Sequence, residues 1–148
     1  MKLRALLIPL LVFALAACQA PYKKKDDADK QPFKDQSGDQ AFQAFLGRLR
    51  NAVARQDRAM LASMMAPDFG YRWENPPAGE TVFSYWEEHN VWPDLANTLR
   101  QDFVPHDRYM VAPAAVVNDP NYKGYRAGMR IVGGSWKFGY FVPTEGVL

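Results

Sequence analysis

Tyr125-Arg126-Ala127-Gly128-Met129-Arg130-Ile131-Val132-Gly133-Gly134-Ser135-Trp136-Lys137-Phe138-Gly139-Tyr140-Phe141-Val142 is the stretch on which the fold turns. Two runs rich in β-branched and aromatic residues flank a two-residue Gly-Gly loop, and both loop positions tolerate positive φ, so the stretch predicts a β-hairpin. Counting outward from the turn pairs Ile131 with Trp136, Met129 with Phe138, Ala127 with Tyr140 and Tyr125 with Val142. All eight are apolar or aromatic and share one face, which is the expected buried side. The other face pairs Val132 with Ser135, Arg130 with Lys137, Gly128 with Gly139 and Arg126 with Phe141. A slip of one residue would turn the apolar set into water, so the alternation specifies the register. Arg130 opposite Lys137 is a like-charge pair. It implies either two side chains splayed into solvent or an anion or headgroup site.

Upstream, the periodicity changes from two to 3.6. Phe42, Phe45, Leu46, Leu49 and Val53 recur at helical spacing, behind Ser37 and Gln40 at capping-box spacing. Asp57 caps a second helix over 58–65, ended by Pro67. A strand is expected over 69–73, a loop over 75–79, a helix over 81–89 and another from Pro93 to about Gln101. Residues 109–111 and 114–117 are expected strands around Pro113, and 105–107 a loop. Helices followed by strands make the fold class α+β, with N-terminal helices packed on one face of a curved antiparallel sheet.

The segment from Phe42 to Leu61, then Met65-Ala66-Pro67-Asp68-Phe69, then Ser135 to Val142, resembles in order the opening and closing of NTF2-like domains. The resemblance implies a cone-shaped α+β domain closed by the Gly-Gly hairpin. Residues 75–113 depart from it, with more helix than those domains carry, which leaves a small SH3-like or unclassified α+β domain as the other reading.

The amino terminus speaks to location. Met1 is followed by Lys2 and Arg4, an apolar run from Ala5 to Ala14, and Leu15-Ala16-Ala17-Cys18. A basic, then apolar, then small-residue order is that of a secretory signal, and the apolar run is shorter than the about 20 residues that span a bilayer. Leu15 to Cys18 is similar to the lipobox of bacterial lipoproteins. That resemblance implies cleavage before Cys18 and acylation, palmitate included, at Cys18. Gln19, where Asp would retain the protein in the inner membrane, implies the periplasmic face of the outer membrane. The expected organisation is signal peptide 1–17, lipidated Cys18 with a flexible linker to residue 36, and one globular domain over 37–148. The linker is polar and charged, with too little apolar surface to fold.

Removal of residues 1–17 takes Lys+Arg from 18 to 16 against 16 Asp+Glu, a mature net charge of 0. That is not the strongly basic footprint of a nucleic-acid binder. Cys18 is the only cysteine, so no disulfide or thiolate metal site is expected. His89 and His106 are the two histidines, without metal-ligand spacing. Phosphate-cradling glycine motifs and a Gly-x-Ser-x-Gly elbow are missing from the sequence.

No cofactor is expected, and the inward side of the hairpin holds no carboxylate or histidine for proton transfer. Candidate ligand-contacting residues are therefore aromatic: Trp73 and Trp92 beside loops, and Tyr125 and Tyr140 on the hairpin. The leading expectation is a non-catalytic envelope lipoprotein, held to the bilayer through Cys18 and binding a small apolar or sugar ligand or an envelope protein. The alternatives are a small enzyme of the isomerase or cyclase kind, and a structural module contacting peptidoglycan.

Overall fold

A computed structural model describes residues 39–144. The signal, Cys18, the linker and Ser37 lie outside the described residues. Helix α1 (Gln40–Ala54) begins at Asp39, whose carboxylate accepts from the amides of Ala41 and Phe42 at 2.6 and 3.1 Å. The cap is thus Asp39, two residues nearer the apolar stripe than the expected Ser37, and it satisfies amides left free by the first helical turn. The stripe behaves as its spacing requires, with Phe42, Phe45, Leu46, Leu49 and Val53 all buried. Asp57 caps α2 (Arg58–Met64) through the amide of Met60 at 2.9 Å. Thr81 and Ser84 form a reciprocal capping box at the start of α3 (Val82–Glu88), and Pro93 stands in the first turn of α4 (Trp92–Arg100).

Among the described residues the sheet has five strands in the order β1-β5-β4-β3-β2: β1 (Met65–Gly70), β2 (Val104–His106), β3 (Tyr109–Ala112), β4 (Tyr125–Val132) and β5 (Ser135–Pro143). The class is α+β, but the sheet is mixed rather than wholly antiparallel, because β1 runs parallel to β5. The first strand also starts earlier than the expected 69–73. Pro67 ends the helix and yet sits inside the strand, which is tolerable because β1 is an edge strand with one paired side. Pro105 lies on the other edge, in β2, which pairs His106 with Tyr109 across Asp107-Arg108. Asp107 supplies the positive φ of 52° that this tight turn uses. The expected strand at 114–117 is instead a short helix, α5 (Ala115–Asn118). Two valines are a weak strand signal, and tertiary context overrides it.

β4 and β5 depart from simple counting at one place. Val132 faces Ser135, Ile131 faces Trp136, Arg130 faces Lys137 and Met129 faces Phe138, with Gly133 and Gly134 between the strands at φ 58° and 80°. Beyond Met129 the register shifts: Gly128 faces Tyr140, Ala127 faces Phe141, Arg126 faces Val142 and Tyr125 faces Pro143. Gly139 is the extra residue of a β-bulge. The bulge exchanges two aromatic rings between faces. Phe141, expected outside, is fully buried against Trp86 and Tyr125 at ring-centroid distances of 6.1 and 4.8 Å. Tyr140, expected inside, lies on the opposite face against Tyr109 at 5.1 Å.

One core lies between the helices and the inner sheet face. Phe42 meets Trp136, Phe69 meets Phe138, and Trp86 meets Trp92 at centroid distances of 4.8, 4.8 and 5.2 Å. Burial of each such ring contributes about 1.5–3 kcal/mol. Ile131, near the turn, keeps the expected pairing but is 46% exposed. No helix among the described residues is long and apolar enough to cross a membrane.

Candidate functional site

The outer sheet face collects the polar chemistry. Strand alternation puts Arg126, Gly128 and Arg130 on one side of β4, the two arginines about 13 Å apart along the strand. The Tyr140 ring lies across Gly128, and Tyr109 lies over Gly139. Any side chain at either glycine would occupy the volume of these rings.

The arginines are treated differently by the fold. Arg130 forms an ion pair with Asp68 of β1, and its guanidinium stands 5.7 Å from the Tyr109 ring centre. That hydrogen bond and charge hold the Asp68 carboxyl below the usual carboxylate range, against a smaller desolvation effect. Lys137 donates to the Ser63 carbonyl at 2.8 Å. The like-charge pair is thus relieved by neighbours on β1 and α2 rather than by splaying into solvent.

Arg126 is partly buried and has no carboxylate within 4.0 Å among the described residues. Its Nη2 donates to Thr144 Oγ1 at 3.2 Å, and its guanidinium carbon lies 5.8 Å from the Trp73 ring centre. The Nε atoms of both Arg126 and Arg130 are buried and donate to no group among the described residues. Trp73 is 55% exposed, yet its Nε1 donates to the Pro143 carbonyl at 2.7 Å, so the ring is held in place. Thr144 joins the pieces, accepting from the Gly124 amide at 3.1 Å as well as from Arg126. Burial pushes the Tyr140 hydroxyl up to about 12, partly offset by the Arg126 charge, so it is a neutral donor at physiological pH.

Of the four aromatic candidates, two come to this face. Trp73 and Tyr140 flank Arg126's surroundings, whereas Trp92 and Tyr125 belong to the opposite side. Trp92 is 8% exposed, packed perpendicular to Trp86. Tyr125 stacks on Phe141. The four therefore do not line one pocket, because the bulge reverses Tyr140 but not Tyr125. Cys18 lies outside the described residues. Arg126 and Thr144 were not among the sequence candidates. The shared parity of Arg126 and Arg130 about Gly128 was the available signal for the first; the second depends on how the chain leaves β5.

Two other polar groupings occur. Arg72 donates from Nη1 to both Glu80 oxygens at 2.9 and 3.1 Å, and the Tyr71 hydroxyl donates to Glu80 Oε1 at 3.1 Å, bracketing the loop before α3. An open cleft of about 380 Å³ lies between α1 and the α4–β2 connection, with Phe42, Leu46, Arg50 and Phe103 in its wall. His89 caps α3 with its ring 4.4 Å from Tyr85. His106 Nε2 lies 3.6 Å from Asp107 Oδ2 on an exposed turn. The described residues hold no group of three or more His, Cys, Asp or Glu placed to bind a metal.

Comparison with protein-family models, curated proteins and solved structures finds no match for this chain. The outer face is accordingly read from its own chemistry. A guanidinium without a carboxylate among the described residues, a protonated hydroxyl and an anchored exposed indole can bind an anion that carries an apolar body.

Proposed function

We propose that the protein is a lipoprotein anchored through acylated Cys18 at the periplasmic face of the outer membrane, and that its α+β domain is a non-catalytic binding module of the NTF2-like, cone-shaped kind. Lys2, Arg4, the apolar run and Leu15 to Cys18 support the anchor. Several acyl chains on one residue hold a protein where a single chain would not.

The observation that carries the binding role is Arg126: a partly buried cation without a carboxylate partner among the described residues, beside an immobilised and half-exposed Trp73. Holding such a charge out of water costs stability unless an anion compensates it. Tyr140, protonated up to about 12, serves there as a donor and not as a base. Mass spectrometry of the native protein tests the anchor. Cys18 as the mature amino terminus, with a thioether-linked diacylglycerol and an acylated amino group, is the expected result, and an intact leader or unmodified thiol would refute it. Cross-linking at Trp73 in intact envelopes tests the binding role, with adducts expected from the wild type and lost on Arg126→Gln.

A further inference from the structure

We infer that the Trp73–Arg126 corner takes a carboxylate carried by a six-membered ring, planar or pyranose, that has an apolar face to stack. This rests on the binding role of the outer sheet face, and it is independent of the anchor.

The two arginines of β4 provide an internal comparison. They share a strand and a face, and each has a buried, unpartnered Nε. Arg130 receives its counter-charge from Asp68 within the fold. Arg126 receives a neutral threonine hydroxyl and an indole face. A guanidinium fork is matched in shape by a carboxylate, which accepts two parallel N–H bonds. Arg126 has no such partner among the described residues, and by analogy with Arg130 the group that it takes is a carboxylate.

Trp73 narrows the ligand further. An exposed indole normally samples several rotamers, but the bond to Pro143 removes that freedom before any ligand arrives. Such preorganisation lowers the entropic cost of stacking. The ring offers a flat apolar platform at the edge of the charged group, which suits a ligand with a planar or pyranose body rather than a bare anion. The Tyr140 hydroxyl is a second donor on the same face and hydrogen-bonds no group among the described residues. Sugar acids and aromatic acids share this chemistry.

The full chain in detergent, titrated calorimetrically with N-acetylmuramate and with benzoate, tests the assignment and separates the two sources. N-acetylglucosamine supplies the sugar ring without the carboxylate, and inorganic phosphate the anion without the ring. Binding of at least one ring carboxylate is expected, with a shift of the Trp73 indole N–H resonance, and with both controls about tenfold weaker or more. Arg126→Gln should weaken that binding about tenfold or more, the worth of a charge-assisted hydrogen bond. Arg126→Lys keeps the charge and should fall between; Trp73→Phe keeps a ring but loses the bond to Pro143, and should weaken binding by less than Arg126→Gln.

Failure of both ring carboxylates, phosphate binding as tightly as either, or unchanged affinity in Arg126→Gln would overturn the assignment. None of these results alters the mass of the Cys18 peptide. Cross-links at Trp73 that survive such a failure would leave a binding face with a different ligand.

Discussion

The Tyr140 ring lies across Gly128 on the neighbouring strand, so close that a methyl group at Gly128 would fall 2.1 Å from Tyr140 Cε1 and 2.3 Å from Cζ. Only a residue without a side chain permits this approach. The bulge at Gly139 makes it necessary, because it turns Tyr140 to the outer face directly opposite Gly128. One glycine thus lets the strand shift, and the other accepts the ring that the shift delivers.

The clash makes Gly128→Ala destabilising by about 1–3 kcal/mol, the usual cost of overpacking. Tyr140→Ala should relieve part of that cost. A double-mutant cycle by urea denaturation is expected to show strong coupling between the two sites. Additive effects would mean that the ring does not occupy this position.

The exchange of faces predicts opposite sensitivities for adjacent residues. Phe141→Ala removes a fully buried ring and should cost about 3–5 kcal/mol. Tyr140→Phe removes a hydroxyl with no partner among the described residues and should change stability by less than about 1 kcal/mol. The regular register without a bulge places Phe141 outside and predicts a small cost for Phe141→Ala, so thermal unfolding of that variant decides between them.

Asp68 gives a pH dependence of known sign. Its carboxyl is held below the ordinary value chiefly by the hydrogen bond from Arg130. Its contribution is therefore complete above the unfolded value, near 3.9. It is lost as pH falls from there through the lower folded value. Carbon NMR of the Asp68 carboxyl should show the depressed titration, and Arg130→Gln should bring it back toward the ordinary range.

Tyr140 acts at the other end of the scale. Its folded pKa, raised to about 12, exceeds the ordinary value of 10.0. The folded state then holds a proton that the unfolded chain has released, so this stabilisation is complete below pH 10 and is lost as pH rises toward 12. Absorbance titration near 295 nm should show late-ionising tyrosines, since burial also raises Tyr71, Tyr85, Tyr122 and Tyr125, and Tyr140→Phe should lower that late amplitude by one tyrosine.

How much of this could be read from the chain depends on whether the cause is local. The helices follow from local rules: a 3.6-residue apolar stripe from Phe42 to Val53, a carboxylate cap at Asp57, and Pro93 in a first turn. The cross-strand pairs next to Gly133-Gly134 follow from counting, since period-two alternation holds until something breaks it. Where two rules competed, the weaker local one lost. Pro67 and Pro105 argued against strands that edge positions allow, and Val116-Val117 argued for a strand where the chain forms α5.

By itself, then, the sequence determined the α+β class, the helical core stripe and the alternation of β4, because each depends on residues a few positions apart. Only the tertiary structure decided which ring of β5 is buried, that β1 joins β5 in parallel, and that Asp68 neutralises Arg130 while Arg126 is left to Trp73 and Thr144. Those outcomes turn on where a Cβ has room and which distant carboxylate arrives, quantities set by the packing of segments far apart in the chain, Asp68 and Arg130 being separated by 62 residues.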